Sequence, residues 1–188
     1  MSAVALGMPG QFAAWAFEAI RLLRVGDPAG ETRWIDRFDS YEHDAVASAL
    51  IASQFPSRSL RDALLRERMP IVLFVTPAIE AVCHQMQYHR VSLLEAVRTV
   101  SASVALLSDC VGRSPALVLD SSARPESAGL LRAAALHLGI PLPNGVLDGV
   151  LAAMPPLPLA QETTGLSESE EAIVTLVLEN AVAHLRGP

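Results

Sequence analysis

The run Ile71 to Thr76 (IVLFVT) limits the possible folds of this chain more than any other feature. It is β-branched and aromatic, is opened by Pro70, and is apolar at consecutive rather than alternate positions. A strand of that kind has both faces covered, as a central strand of a parallel sheet does. Parallel neighbours need crossover connections long enough to hold a helix, so strands and helices are expected to alternate along the chain. The beginning of the sequence fits. Ser2 to Leu6 (SAVAL) is a short apolar run that stops at the turn signal Gly7-Met8-Pro9-Gly10. Phe12, Trp15, Ala16, Ala19, Ile20 and Leu23 then recur at the spacing of a helix with one buried face.

Further along, Val25 to Gly30 reads as a loop and Thr32 to Phe38 as an edge strand with imperfect alternation. Glu42 to Gln54 and Ser57 to Arg68 read as helices. Thr76-Pro77 opens a helix to about Gln87, with Pro at its first position, where a missing N–H costs nothing. Ser92 and Glu95 have capping-box spacing for a long helix reaching Cys110. Ala116 to Asp120 (ALVLD) is a further strand, Pro125 to Leu138 a helix ended by Gly139, and Val146 to Ala153 a short helix. Met154 to Gly165 is a Pro-rich linker. Ser167 and Glu170 cap a final helix to about Leu185, with Ile173, Leu176, Val177, Asn180, Ala181 and His184 on one side. The expected architecture is one α/β domain over residues 1–188, three layers deep (α/β/α), with a mostly parallel sheet and the first strand central. Ligands of such sheets bind outside the carboxyl ends of the strands, which directs attention to Met8–Phe12, Thr76–Glu80 and Asp120–Arg124.

Composition narrows the chemistry. The chain has no lysine: all 14 basic residues are Arg, set against 20 Asp and Glu for a net charge of −6. A lysine phosphate clamp or Schiff base is therefore impossible. The negative charge without a basic cluster speaks against nucleic acid, which needs several phosphate contacts. Arg98, Ser101, Ser103, Ser108 and Asp109 interrupt the most apolar stretch, so no membrane span is expected. Met1 to Gly7 has no basic residue ahead of its apolar run, so no signal peptide is expected and the chain reads as cytoplasmic. Cys83 and Cys110 sit inside apolar helical patterns without a metal-binding partner at zinc-finger spacing and read as buried thiols.

From the opening turn onward, the order of elements resembles the sulfotransferases that use 3′-phosphoadenosine 5′-phosphosulfate (PAPS), a branch of the P-loop fold. Those enzymes follow their first strand with Pro-Lys/Arg-Ser-Gly-Thr-Thr and a bulky residue such as Trp. Here Pro9 and Trp15 stand at that separation within Gly7-Met8-Pro9-Gly10-Gln11-Phe12-Ala13-Ala14-Trp15. The family's second signature, a strand ending in Arg-Asx-Pro and then a helix carrying Ser, is similar to Val75-Thr76-Pro77 followed by Cys83. Leu136 to Ile140 and Leu166 to Glu171 resemble its later helix end and its terminal helix start. The resemblance implies that Gly10, Gln11, Phe12 and Thr76 occupy cofactor-binding positions.

The residues at those positions lack the family's chemistry. Gly10 replaces the cation, Gln11 the Ser, Phe12 the central Gly, and Ala13 and Ala14 the two Thr. Thr76 stands for the Arg on the 3′-phosphate and Cys83 for the Ser. What remains is a helix N-terminus, worth about 0.3–1 kcal/mol toward an anion, against the roughly 8 kcal/mol of micromolar affinity. The expectation is a degenerate sulfotransferase-like domain without a cofactor, acting through a protein partner or as a homodimer. The alternative is a sulfotransferase using PAPS through a remodelled loop, with Arg58, Arg61 or Arg90 supplying charge from elsewhere.

No catalytic residue can be assigned from the sequence, and no metal site is found. His84 and His89 would lie near an acceptor pocket but are five apart and share no helix face as a metal pair, and they read as surface-helix residues ahead of catalytic ones. His43 lacks a second cluster to complete a metal site. Asp120 stands at a strand's carboxyl end, as either a functional group or the cap of a turn with Ser121 and Ser122. Gln11 reads as a ligand contact or a solvent-facing side chain, and Phe12 and Trp15 as core anchors or a stacking platform.

Overall fold

The computed structural model of the chain describes residues 3–24, 32–34, 50–123, 125–158 and 165–186. Strand β1 (Ala3–Gly7) is followed by α1 (Gln11–Leu23), β2 (Thr32–Trp34), β3 (Leu50–Ser53) and α2 (Arg58–Glu67). After these come β4 (Ile71–Val75), α3 (Ala78–His89), α4 (Leu93–Val111) and β5 (Ala116–Asp120). A single 3-10 turn (Ser121–Ala123) leads to α5 (Ser127–Leu138), α6 (Val146–Ala153) and α7 (Glu168–Arg186). The strands form one sheet in the order β2-β3-β1-β4-β5, and every pairing is parallel. Strand β1 is central, as expected.

Burial in β4 explains the unbroken apolar run. Ile71, Leu73 and Val75 pack with Val4, Leu6 and Ile51 against α2, α3, α4 and α7. Val72 and Phe74 pack on the opposite face with Ala5 and Ala52 against α1, α5 and α6. This is the three-layer α/β/α arrangement. Among the described residues, no helix is long and apolar enough to cross a membrane.

Local signals set several boundaries. The capping box at α4 forms in full, with Ser92 Oγ accepting from the Glu95 N–H and Glu95 Oε2 accepting from the Ser92 N–H at 3.0 Å. The same exchange opens α7 between Ser167 and Glu170. Gly139 ends α5 with the positive φ of 67° that glycine tolerates.

Two expectations are corrected. Helix does not extend over Leu50–Ser53, which is strand β3 between β2 and β1; residues 42–49 of that expected helix lie outside the described residues. Leu and Ala favour helix in isolation, but Ile51 and Ala52 are buried on opposite faces of the sheet, and pairing on both edges overrides the propensity. Pro77 is the N-cap of α3 rather than its first helical residue, because its ψ of 140° is extended. In α7 the core takes Val174, Leu178, Val182 and Leu185, while Ile173, Leu176 and Val177 face outward. Apolar side chains lie on either side of that stripe, so periodicity alone does not select it. Of the expected edge strand Thr32 to Phe38, Thr32–Trp34 is strand β2 at the sheet edge, and 35–38 lie outside the described residues.

Candidate functional site

The carboxyl ends of β1 and β4 meet at the centre of the sheet, where the chain crosses from the β3 side to the β4 side. Such a switch point is where open α/β sheets bind ligands. Gly7 closes β1 at a point of contact with α1: a Cβ there would lie 2.5 Å from the Ala13 Cβ. The Met8 N–H donates to the Phe74 carbonyl at 3.0 Å, extending the ladder by one residue. Gly10, with extended backbone, is the N-cap of α1, and no side chain caps the helix.

Of the four predicted positions, the fold brings Gly10 and Thr76 together. A Cβ on Gly10 would stand 3.4 Å from Thr76 Oγ1. Thr76 is fully buried, and its hydroxyl has no hydrogen-bond partner among the described residues. Val75 pairs with Asp120, so Ser121, the first residue of the 3-10 turn after β5, is the matching next residue. Ser121 is also buried with an unpartnered hydroxyl. Unsatisfied buried polar groups are uncommon and call for an explanation. Gln11 faces solvent at the first position of α1. Phe12 turns away into the core with no exposure, edge-on to Phe74 at 5.7 Å. Trp15 is likewise buried, and its Nε1 donates to the Pro155 carbonyl at 2.8 Å, tying the Pro-rich stretch to α1. Both aromatics are core anchors.

Asp120 serves the turn. Its Oδ1 accepts from the Ser122 N–H at 2.8 Å, and its Oδ2 pairs with Arg186 Nε at 2.7 Å, tying β5 to the end of α7. Arg124 lies outside the described residues, as does His43. His84 is half-buried and stacks on Tyr88 at 5.5 Å; burial first, and then His89, hold its ring below the ordinary histidine pKa. Burial pushes the Cys83 thiol up, aided by Glu171 and Glu80, and pushes Cys110 up to about 12. Neither thiol is set up as a nucleophile. Among the described residues no group of three or more His, Cys, Asp or Glu could hold a metal. Arg61 donates to Asp109 Oδ2 at 2.7 Å, and Arg90 follows α3, about 18 Å long, at the end remote from the site.

Glu80 was not singled out in the sequence. It occupies the third position of α3, where a capping-box carboxylate reaches back to the N-cap N–H. The N-cap here is Pro77, which has none. Glu80 Oε2 is buried without a hydrogen-bond partner among the described residues, and burial holds the carboxyl above its ordinary value of 4.5. A raised carboxyl destabilises the fold as it ionises, so stability falls as pH climbs upward from 4.5. Glu80→Gln is therefore expected to match the wild type near pH 4 and to melt higher at about pH 8. Melting curves that stay parallel across that range would show that Glu80 ionises without penalty.

The turn offers the N-terminal N–H groups of α1 and, beside Gly10, the buried hydroxyl of Thr76, but Gly7 to Phe12 carries no charged side chain. That set does not fit a phosphosulfate or bisphosphate group, which calls for a cation over the loop. No protein-family model and no curated protein sequence matches the chain. Among solved structures, mouse sulfotransferase SULT7A1 complexed with PAP matches it with a TM-score of 0.66. The match covers 98% of this chain and 87% of that one, at 9% sequence identity. The chain has a sulfotransferase-like fold. At this identity the likeness concerns the fold, and the residues at the opening turn of this sulfotransferase-like chain are its own.

Proposed function

We propose that this is a catalytically silent sulfotransferase-like domain, acting through protein–protein contacts as a regulatory or assembly subunit. One observation carries the reading: the start of α1 presents Gly10, a solvent-facing Gln11 and a core-facing Phe12 packed on Phe74. The polar groups that would hold a donor phosphate are replaced by groups that pack. A helix N-terminus worth about 1 kcal/mol cannot replace them.

The test is thermal unfolding with millimolar PAP, PAPS or ATP. A ligand at one hundred times its dissociation constant would add about 2.7 kcal/mol, several degrees for a domain of this size. The expected result is no shift with any of the three. A clear shift with PAP or PAPS would favour the second reading, a transferase that takes a PAPS-like donor through a remodelled loop. That reading is supported by the hydroxyl of Thr76 beside Gly10, which has no hydrogen-bond partner among the described residues and could donate to an anion. Thr76→Val would then abolish the shift, because it removes the hydroxyl while keeping the shape.

A further inference from the structure

We propose that Trp15 and the start of α5 form a binding site for an extended proline-rich segment of a partner protein, occupied in this structure by the chain's own Met154–Leu157. The inference rests on the protein-contact reading above and names the site and the chemistry of its partner.

The segment that follows α6 is built as polyproline II. Met154-Pro155-Pro156-Leu157-Pro158 holds three prolines, each with its φ fixed by the ring, and each residue ahead of a proline is pushed to extended ψ. Met154 shows the result, with φ −89° and ψ 147°, close to polyproline II values. That helix repeats every three residues, so Met154 and Leu157 share one edge. Both are half-buried and pack on the core formed by α1, α5 and α6. Pro155 and Pro156, on the other two edges, are exposed.

Polyproline II has no internal hydrogen bonds, so its carbonyls accept from whatever the segment lies against. Here the donor is Trp15, whose Nε1–H reaches the Pro155 carbonyl at 2.8 Å. An aromatic wall beneath a polyproline II segment is how proline-rich ligands are recognised between proteins, and this chain holds both halves of such a pair. Among the described residues the segment joins no backbone ladder; the Trp15 bond and half-buried side chains hold it. A competing segment can replace such an anchorage contact for contact. Beside it lies an open hollow of about 370 Å³, walled by Trp15, Leu151, Ser127 and Ala128. An incoming segment can touch that wall before the resident one lifts. Glu126 is the one charged residue lining the hollow, so the segment that fits carries no acidic side chain.

The probe is the uncharged peptide Met-Pro-Pro-Leu-Pro, acetylated and amidated. It is titrated into the isotope-labelled full chain to about 5 mM, the scale of concentration that a tethered segment presents to its own site. The two Trp of the chain, Trp15 and Trp34, give separate indole N–H resonances. The Trp15 resonance is expected to shift saturably and the Trp34 resonance to stay. Pro155→Gly with Pro156→Gly loosens the resident segment at exposed positions and should tighten peptide binding at least about fivefold, with unchanged far-UV circular dichroism. In that background Trp15→Phe, read at the backbone amides of α5, should weaken binding about fivefold, the loss of one hydrogen bond. The peptide Met-Ala-Ala-Leu-Ala should bind far more weakly, a control that needs no variant. An unmoved Trp15 resonance, equal affinity of the wild type and the glycine variant, indifference to Trp15→Phe, or equal binding of the alanine peptide would each overturn the proposal. A peptide that fails to bind, with no PAP shift, loses this site and leaves the silent-domain reading standing. A peptide that binds, with a PAP shift, keeps the site and loses that reading.

Discussion

Phe74→Ala is expected to cost about 3–5 kcal/mol, a third or more of the stability of an ordinary domain. Phe74 lies on β4, between β1 and β5, with no exposure. Its ring meets Phe12 edge-on at 5.7 Å and Phe17 edge-on at 6.0 Å, and each such pair adds about 0.5–1.5 kcal/mol beyond area burial. The chain has five Phe in all, and aromatics are 5% of its residues. The surrounding cluster holds Phe12, Phe17, Ile20 and several Ala, whose rings and short side chains cannot close over the vacated ring. Urea denaturation should show a lower midpoint with an unchanged slope. A loss below about 1.5 kcal/mol would mean that α1 and α5 collapse into the space, which close packing resists. The variant bears on the candidate site as well, because Phe74 is the packing partner of Phe12 at the start of α1.

What could be read from the sequence divides along the range of the interaction. Strand β4, α1 and the capping box of α4 were legible because each is written in neighbouring residues: an unbroken apolar run, a 3.6-residue stripe, a Ser three positions before a Glu. Leu50–Ser53 was not, because its conformation comes from partners on both sides, and its own Leu and Ala point toward helix. The inner stripe of α7 was hidden for a related reason. Ile173, Leu176 and Val177 are as apolar as Val174, Leu178 and Val182, and the packing of α7 on α3 and α4 decided between them. At the candidate site, Phe12 and Trp15 could be expected as core anchors from their places on the α1 stripe. The approach of Gly10 to Thr76 depends on β1 and β4 being neighbours. The unpartnered hydroxyls of Thr76 and Ser121 depend on β4 and β5 being in register. The Trp15 bond to Pro155 spans 140 positions, and no local pattern announces it. Glu80 had a readable clue after all. A Glu three residues beyond Pro77 has the capping-box spacing but no N–H to accept.

Gly7→Ala is expected to destabilise by about 1–3 kcal/mol, a large effect for one added methyl. The reason is position. The new Cβ would sit 2.5 Å from the Ala13 Cβ and 3.2 Å from Phe17 Cζ, with Phe74 Cβ at 3.5 Å behind. The nearest of these is fixed to the backbone of α1, so the clash cannot be relieved by a rotamer change; β1 and α1 must move apart. That movement would pull Met8 from the Phe74 carbonyl and shift Gly10 away from Thr76. The double variant Gly7→Ala, Ala13→Gly separates this account from a loss of glycine's backbone freedom. It returns a methyl-sized space at the contact, at about 1 kcal/mol for glycine inside a helix. If the clash governs, Ala13→Gly should destabilise the wild type but restore part of the loss in Gly7→Ala, a coupling of about 0.5–3 kcal/mol between touching residues. Simple additivity would mean that Gly7 is needed for its backbone instead. Denaturation midpoints of the four proteins in the cycle decide the matter. A positive coupling would also explain why a glycine ends β1: it serves the contact between strand and helix, a requirement of packing that needs no ligand.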